Sequence, residues 1–304
     1  EMLSEGDAII VTNQDHEANT GAWRRLAKGG IEMREWQIDP QTGLLNPDDL
    51  AGLMDEKTKL LCFPHCSNVV GEINDVQKIC AMARDANVWT CVDGVSYAPH
   101  GLPNVSQLGA DIYMFSTYKT YGPHQGIMVI QSGIGRALPN QAHDFNGGSI
   151  STRFTPAGPD HAQVAACAGM ADYIDALYAH HFKAGRDAAS RASSIHNLMR
   201  DHEEKLLQPL LDYVSSTNSV RLLGSTNAKS RAPTVALELQ GSGEDAAKAL
   251  VKHGIMAGGG DFYAVRPLKA MSIDPAKGVL RLSFVHYTTQ QEVDRLIDAL
   301  DQTI

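Results

Sequence analysis

Five short apolar runs in the first 131 residues constrain the fold most. They are AIIVTN (8–13), LLCFPHC (60–66), WTCVDGV (89–95), IYMFSTY (112–118) and GIMVIQ (126–131). Continuous apolar runs of this length are what strands buried on both faces carry. Helical patterns separate them. NPDDLAGLM offers Asn46 as an N-cap and Pro47 for the first turn. DVQKICAMARDAN places Val76, Ile79, Cys80 and Ala83 on one helix face. Strand and helix alternating at this rhythm predict an α/β domain with a mostly parallel sheet.

After about residue 150 the texture changes. DHAQVAACAGMADYIDALYAHHF and AASRASSIHNLMRDHEEKLLQPLLDYV read as two long helices. Four shorter strand candidates follow (SVRLL, TVALELQ, GIMAGG and GVLRLSFVHY), with EDAAKALVKHG and TQQEVDRLIDALDQ as helices between and after them. This predicts an α+β second domain. The Gly/Ser stretch NGGSIST (146–152) marks the expected boundary, giving domains 1–150 and 151–304. EGDAIIVTNQDH runs from a turn straight into a buried strand, so a natural N-terminal segment is expected to precede it.

Composition narrows the function class. The 304 residues are 43% hydrophobic and 20% charged, as in a globular protein with a sizeable core. A formal net charge of −9 argues against a nucleic-acid partner, which wants a basic face. No apolar run approaches the roughly 20 residues of a membrane helix, and the acidic start lacks a basic signal-peptide region. Five cysteines in mostly apolar surroundings read as reduced thiols of a cytoplasmic protein.

In open parallel sheets ligands bind beyond the carboxyl ends of the strands. Polar residues gather at those ends here: His16, Asn68, Asp93, Ser116, Tyr118 and Lys119. A lysine held at a sheet edge and partly desolvated can form a Schiff base with a carbonyl, such as the aldehyde of pyridoxal 5'-phosphate. That cofactor needs an acidic partner for its ring nitrogen. Asp93, ending an apolar strand where an unpaired carboxylate is costly, is the candidate. Taken alone, Lys119 is an ordinary surface lysine and Asp93 a cap or turn residue. At the ends of neighbouring strands they favour the cofactor.

HCSNVVGEI, CVDGVSYAPHG, DIYMFSTYKTYGP and GVLRLSFVHYTTQQEVDRLIDAL resemble the class V aminotransferase family of pyridoxal-phosphate enzymes, fold type I. The resemblance runs in order along the whole chain. It is nearest the cysteine desulfurase-like and selenocysteine lyase-like branch. It implies that Lys119 forms the Schiff base and shuttles the substrate α-proton. Asp93 pairs with the pyridine nitrogen, and His16, in QDHEAN, stacks on the ring. Asn68 bonds the phenolic oxygen. Ser116 and Tyr118 bind phosphate. Arg281, in VLRLSF, clamps the substrate carboxylate; its bland alternative is an edge-strand arginine facing water. Homodimers with composite active sites are the family habit.

The departures matter equally. Ser96, counted among the cofactor contacts, stands where relatives have a glutamine that contacts the phenolic oxygen, and Pro159 follows Gly158 where they have threonine. The loop GIMAGGGDFYAVRP (254–267) lacks the desulfurase nucleophile and carries Tyr263 instead. Roughly a hundred residues ordinarily precede the first strand, on ordinary domain lengths, with a phosphate-cradling turn among them. The expected activity is therefore β-elimination of C–S lyase type, or transamination, on a small amino acid. The alternative is a non-catalytic class V fold serving as a binding or dimer partner. A nicotinamide enzyme ranks far behind, lacking a glycine fingerprint after the first strand. GGGD (258–261) reads as a flexible substrate-site loop, and DPQTGLLNPDDL as a turn and cap. YAHHF reads as helix-end histidines, and no metal site is expected. Cys62 and Cys66 read as buried thiols on one strand face, with Cys66 a minor candidate to approach the cofactor.

Overall fold

The computed structural model describes residues 2–155, 158–183, 185 and 187–304. Six strands build the first sheet: β1 (Ala8–Thr12), β2 (Glu32–Trp36), β3 (Thr58–Pro64), β4 (Trp89–Asp93), β5 (Ile112–Ser116) and β6 (Gly126–Ile130). Their order is β2-β1-β3-β4-β5-β6. All neighbours run parallel except β5 and β6. β1 and β3 are deeply buried: every residue of β1, and all of β3 but Lys59.

The helix Val76–Asp85 buries Val76, Ile79, Cys80 and Ala83, the face its spacing predicts. Asn46 caps the short helix Pro47–Leu50 by accepting from Asp48 N. Trp36 is fully buried and donates from Nε1 to the Asn46 carbonyl at 3.0 Å, tying the edge strand to that cap.

The second sheet contains β7 (Val220–Leu223), β8 (Thr234–Leu239), β9 (Gly258–Gly260) and β10 (Val279–Ser283), in the antiparallel order β7-β8-β10-β9. The helix Ala188–Ser216 lays Leu206, Leu207, Leu210, Leu211 and Val214 against it. Each such burial contributes about 1.5–3 kcal/mol, so Leu210→Ala is expected to cost about 2–5 kcal/mol. The helix Gln290–Asp301 covers the same core and starts with a capping box between Thr289 and Glu292. Leu223, Ala236, Leu268 and Val279 join the core of the first sheet, so the two sheets share apolar contacts.

Several expectations are corrected. β2 was missed, because EMREW carries charges at an edge where one face meets water. β5 and β6 are not buried on both faces: β6 is an antiparallel edge strand with Met128 and Val129 exposed. Strand ends come two residues early at β3, β4 and β5. The strand expected in GIMAGG lies at Gly258–Gly260. The first long helix breaks at Cys167, leaving His161–Ala166 and Ala168–His181. Cys66 lies beyond β3 and shares no strand face with Cys62, which sits beside Cys91 instead.

Candidate active site

Beyond the carboxyl ends of β3 and β4, the two sheets flank a cavity of about 590 Å³, in the ordinary range for a small-molecule site. His16, Asn68, Ser96, Lys119, Tyr263 and Arg281 line it. Six of the nine residues expected from sequence are thus brought together from segments up to 265 positions apart (281 − 16).

Local structure aims each one. His16 is the N-cap of the helix Glu17–Arg24, and its Nδ1 accepts from Ala18 N at 3.1 Å. That bond leaves the proton of the neutral ring on Nε2. Burial lowers the His16 pKa, with Lys119 acting the same way and Asp93 opposing. β5 ends at Ser116, and a 3-10 turn over Thr117–Lys119 presents the lysine. Lys119 is exposed, so the expected desolvation is not realised: the turn after the strand buries Thr117 and Thr120 and leaves Tyr118 and Lys119 on its outer side.

Asp93 is 9% exposed at the end of β4. Its Oδ1 accepts from Val95 N at 2.8 Å, and its other oxygen has no donor among the described residues. Burial raises its pKa, while His16 and Lys119 lower it. Gly94 follows because a Cβ there would lie 2.2 Å from the Tyr113 ring. Asp93, Ser116 and Tyr118 do not line the cavity itself. Tyr118 is 47% exposed and stacks on His124 at 4.5 Å.

On the far wall, Arg281 on β10 is half-buried and has no carboxylate partner among the described residues. Burial lowers its pKa. Asn68 donates from Nδ2 to the Phe262 carbonyl at 3.0 Å, while its Oδ1 is buried without a partner among the described residues. Phe262 and Tyr263 hold φ of +53° and +57°, a conformation that costs non-glycine residues about 1–3 kcal/mol each. Tyr263 is 76% exposed, with its ring edge-on to His16 at 5.9 Å.

Sequence reasoning missed two contributors. Asp15, 2% exposed, accepts from His16 N at 2.8 Å and from Asn19 Nδ2 at 2.7 Å. Its adjacency to His16 in QDHEAN was the available signal. Phe262 left none, because its backbone strain and its contact with Arg281 exist only in the folded chain. Cys66 is corrected: it is buried, donates to the Gly71 carbonyl at 3.5 Å, and burial pushes its thiol up to about 12.

A parallel sheet that brings Lys119, Asp93 and His16 to one edge, facing an arginine with no carboxylate partner among the described residues, is the arrangement expected of a cofactor-dependent enzyme of amino-acid chemistry. The chain belongs to the class-V aminotransferase family, whose model matches residues 1–296. It is 32% identical to the aminotransferase-like protein FGM3 of Gibberella zeae, over 99% of this chain and 74% of that one. It is 30% identical to a cysteine desulfurase of Yersinia pestis, covering 99% and 72%. Among solved structures it is similar in fold to the cysteine desulfurase CsdA of Escherichia coli: TM-score 0.81, 24% identity, 99% of this chain and 73% of that one. The cysteine desulfurase of Thermococcus onnurineus NA1 gives a TM-score of 0.83 at 23% identity, with the same coverage.

Enzymes of this family depend on pyridoxal 5'-phosphate. The residues present fit it. The orphaned Oδ1 of Asn68 and the unpartnered oxygen of Asp93 are polar atoms that a ligand can satisfy. No helix among the described residues is long and apolar enough to cross a membrane.

Proposed function

We propose that this enzyme removes a sulfur leaving group from a small amino acid by β-elimination, in the manner of a C–S lyase. The observation carrying the reading is that Lys119 and Arg281 line one cavity. Bound there, pyridoxal phosphate supplies an aldehyde for an amine and a ring that draws electron density from the substrate Cα. Asp93 holds a proton at the ring nitrogen. Its buried carboxylate remains useful only while a cation or donor faces it. His16 would hold the face of the ring, Asn68 and Ser96 would bond its phenolic oxygen, and Ser116 and Tyr118 would bind the phosphate.

Arg281 grips the substrate carboxylate with its unused guanidinium donors. Lys119 takes the Cα proton through its Nζ. Its exposed position lets it move between cofactor and substrate. Tyr263 covers the mouth. Elimination is favoured over desulfuration because loop 254–267 has no cysteine. Transamination remains the second outcome of the same residues. A homodimer accords with the apolar side chains left exposed at Met128, Val129, Phe145 and Val164.

The experiment is to add pyridoxal phosphate, reduce with borohydride and map the peptides. The label is expected on Lys119 and nowhere else, and to vanish in Lys119→Ala together with turnover. Pyruvate release from an S-alkyl cysteine supports elimination; amino-group transfer to a keto acid without it supports transamination. Activity surviving in Lys119→Ala sinks the mechanism.

A further inference from the structure

His100 and Glu203 form a buried pair on the wall of the same cavity, among residues given no role above. His100 is 5% exposed and lines the cavity beside Ser96, Lys119 and Thr288. Its Nδ1 lies 2.9 Å from Oε1 of Glu203, whose side chain is 0% exposed. Arg200 donates to the other carboxylate oxygen at 3.3 Å, and to the Arg231 carbonyl at 3.0 Å.

An ionised carboxylate only accepts, so the proton between the pair sits on Nδ1. Nε2 of His100 has no hydrogen-bond partner among the described residues. Two half-buried imidazoles contrast with this: His196 spends Nδ1 on the Gly101 carbonyl and Nε2 on Tyr97, and His286 spends both nitrogens on Tyr121 and Tyr173. Buried His65 bonds Tyr113 through Nδ1 and, like His100, has no partner on Nε2 among the described residues, but it does not line the cavity. His100 is the one of these four that brings an unspent ring nitrogen to the cavity. An imidazole fixed in one tautomer by a buried carboxylate is the arrangement that proton-transfer sites use. The short 3-10 helix Ala98–His100 brings the histidine back from β4, while Glu203 arrives on the helix Ala188–Ser216.

We propose that His100 is a catalytic residue, the acid that protonates the sulfur leaving group. This rests on the elimination reading above. Lys119 takes the Cα proton, and the C–H electron pair becomes the Cα–Cβ double bond. The Cβ–S bond breaks with its pair moving to sulfur, and the proton on imidazolium Nε2 completes the thiol. Solvent returns the proton from Lys119 to His100, so no proton or electron is consumed overall.

The test compares two substrates on the cofactor-loaded enzyme. S-ethylcysteine releases a thiolate that needs a proton, whereas β-chloroalanine releases chloride, which does not. In His100→Gln, kcat/KM is expected to fall about 100-fold or more on S-ethylcysteine and by less than about 5-fold on β-chloroalanine. A merely structural role lowers both equally, and that result overturns the proposal. If the unsubstituted enzyme releases pyruvate from neither substrate, the elimination reading itself falls. Independently of activity and of variant folding, a long-range ¹H–¹⁵N spectrum of the unsubstituted chain reads the His100 tautomer. Protonation on both ring nitrogens supports the pair with its donor at Nε2; a ring protonated on Nδ1 alone leaves Nε2 an acceptor and overturns the acid role, and protonation on Nε2 alone overturns the pair.

Discussion

The Arg281 guanidinium lies 3.9 Å over the Phe262 ring and donates through Nη1 to the Asn68 carbonyl at 2.9 Å. Asn68 in turn donates to the Phe262 carbonyl, so three segments lock one another around the cavity. The strained φ of Phe262 is what turns its ring beneath the arginine. Stacking fixes the guanidinium plane and leaves its remaining donors for a ligand. A lysine keeps the charge but loses the plane and the fork. Arg281→Lys is therefore expected to raise the substrate KM about 10- to 100-fold, the loss of a charge-assisted hydrogen bond of about 1.5–3 kcal/mol. Steady-state kinetics check this; an unchanged KM removes Arg281 from the substrate site.

Asp93 offers a second check. Asn in its place keeps the shape and the bond from Val95 N but loses the charge. Cofactor affinity is expected to drop about 10- to 100-fold, again the value of a charge-assisted hydrogen bond. An absorbance titration with pyridoxal phosphate measures it. Equal affinity would show that the carboxylate does not face the ring nitrogen.

Glu72 predicts how stability varies with pH. Burial pushes its pKa up to about 7, although Gln14 and the Leu45 N–H donate to its carboxylate. A carboxyl with a raised folded pKa binds its proton more tightly folded than unfolded. Its contribution is therefore best below the unfolded value near 4.5 and declines as pH rises through about 7. The decline from this group is at most on the order of 3 kcal/mol. Chemical unfolding at pH 5 and pH 8 should show less of this fall in Glu72→Gln than in the unsubstituted chain. Parallel profiles would refute the assignment.

The thiols sort by burial. Cys62, Cys66, Cys80 and Cys91 are buried, and Cys167 is only partly so. Burial pushes Cys80 up to about 11 and Cys66 up to about 12. Because the thiolate is the reactive form, brief alkylation of the native chain at pH 8 is expected to modify Cys167 first. Peptide mass spectrometry reads the order; early modification of Cys66 would contradict its placement.

The sequence alone determined the buried strands β1, β3 and β4, most helices and the polar residues that follow those strands. Its signals are local: apolar runs for β1, β3 and β4, the 3.6-residue spacing of Val76, Ile79, Cys80 and Ala83, and the cap at Asn46. Such patterns record which side chains must leave water, whatever they later touch. His16, Asn68, Ser96 and Lys119 meet at one cavity because they follow strands of a parallel sheet that share an edge, whereas Tyr263 and Arg281 reach it from the second sheet.

Only the tertiary structure decided what depends on distant partners. EMREW hides β2 because an edge strand needs no apolar pattern. Lys119 is exposed because the turn after Ser116 spends its buried positions on Thr117 and Thr120. The strain at Phe262, the burial of Cys66 and the meeting of His100 with Glu203, 103 residues away, have no local cause. Packing forces chose those contacts, and packing acts between segments that the sequence keeps apart.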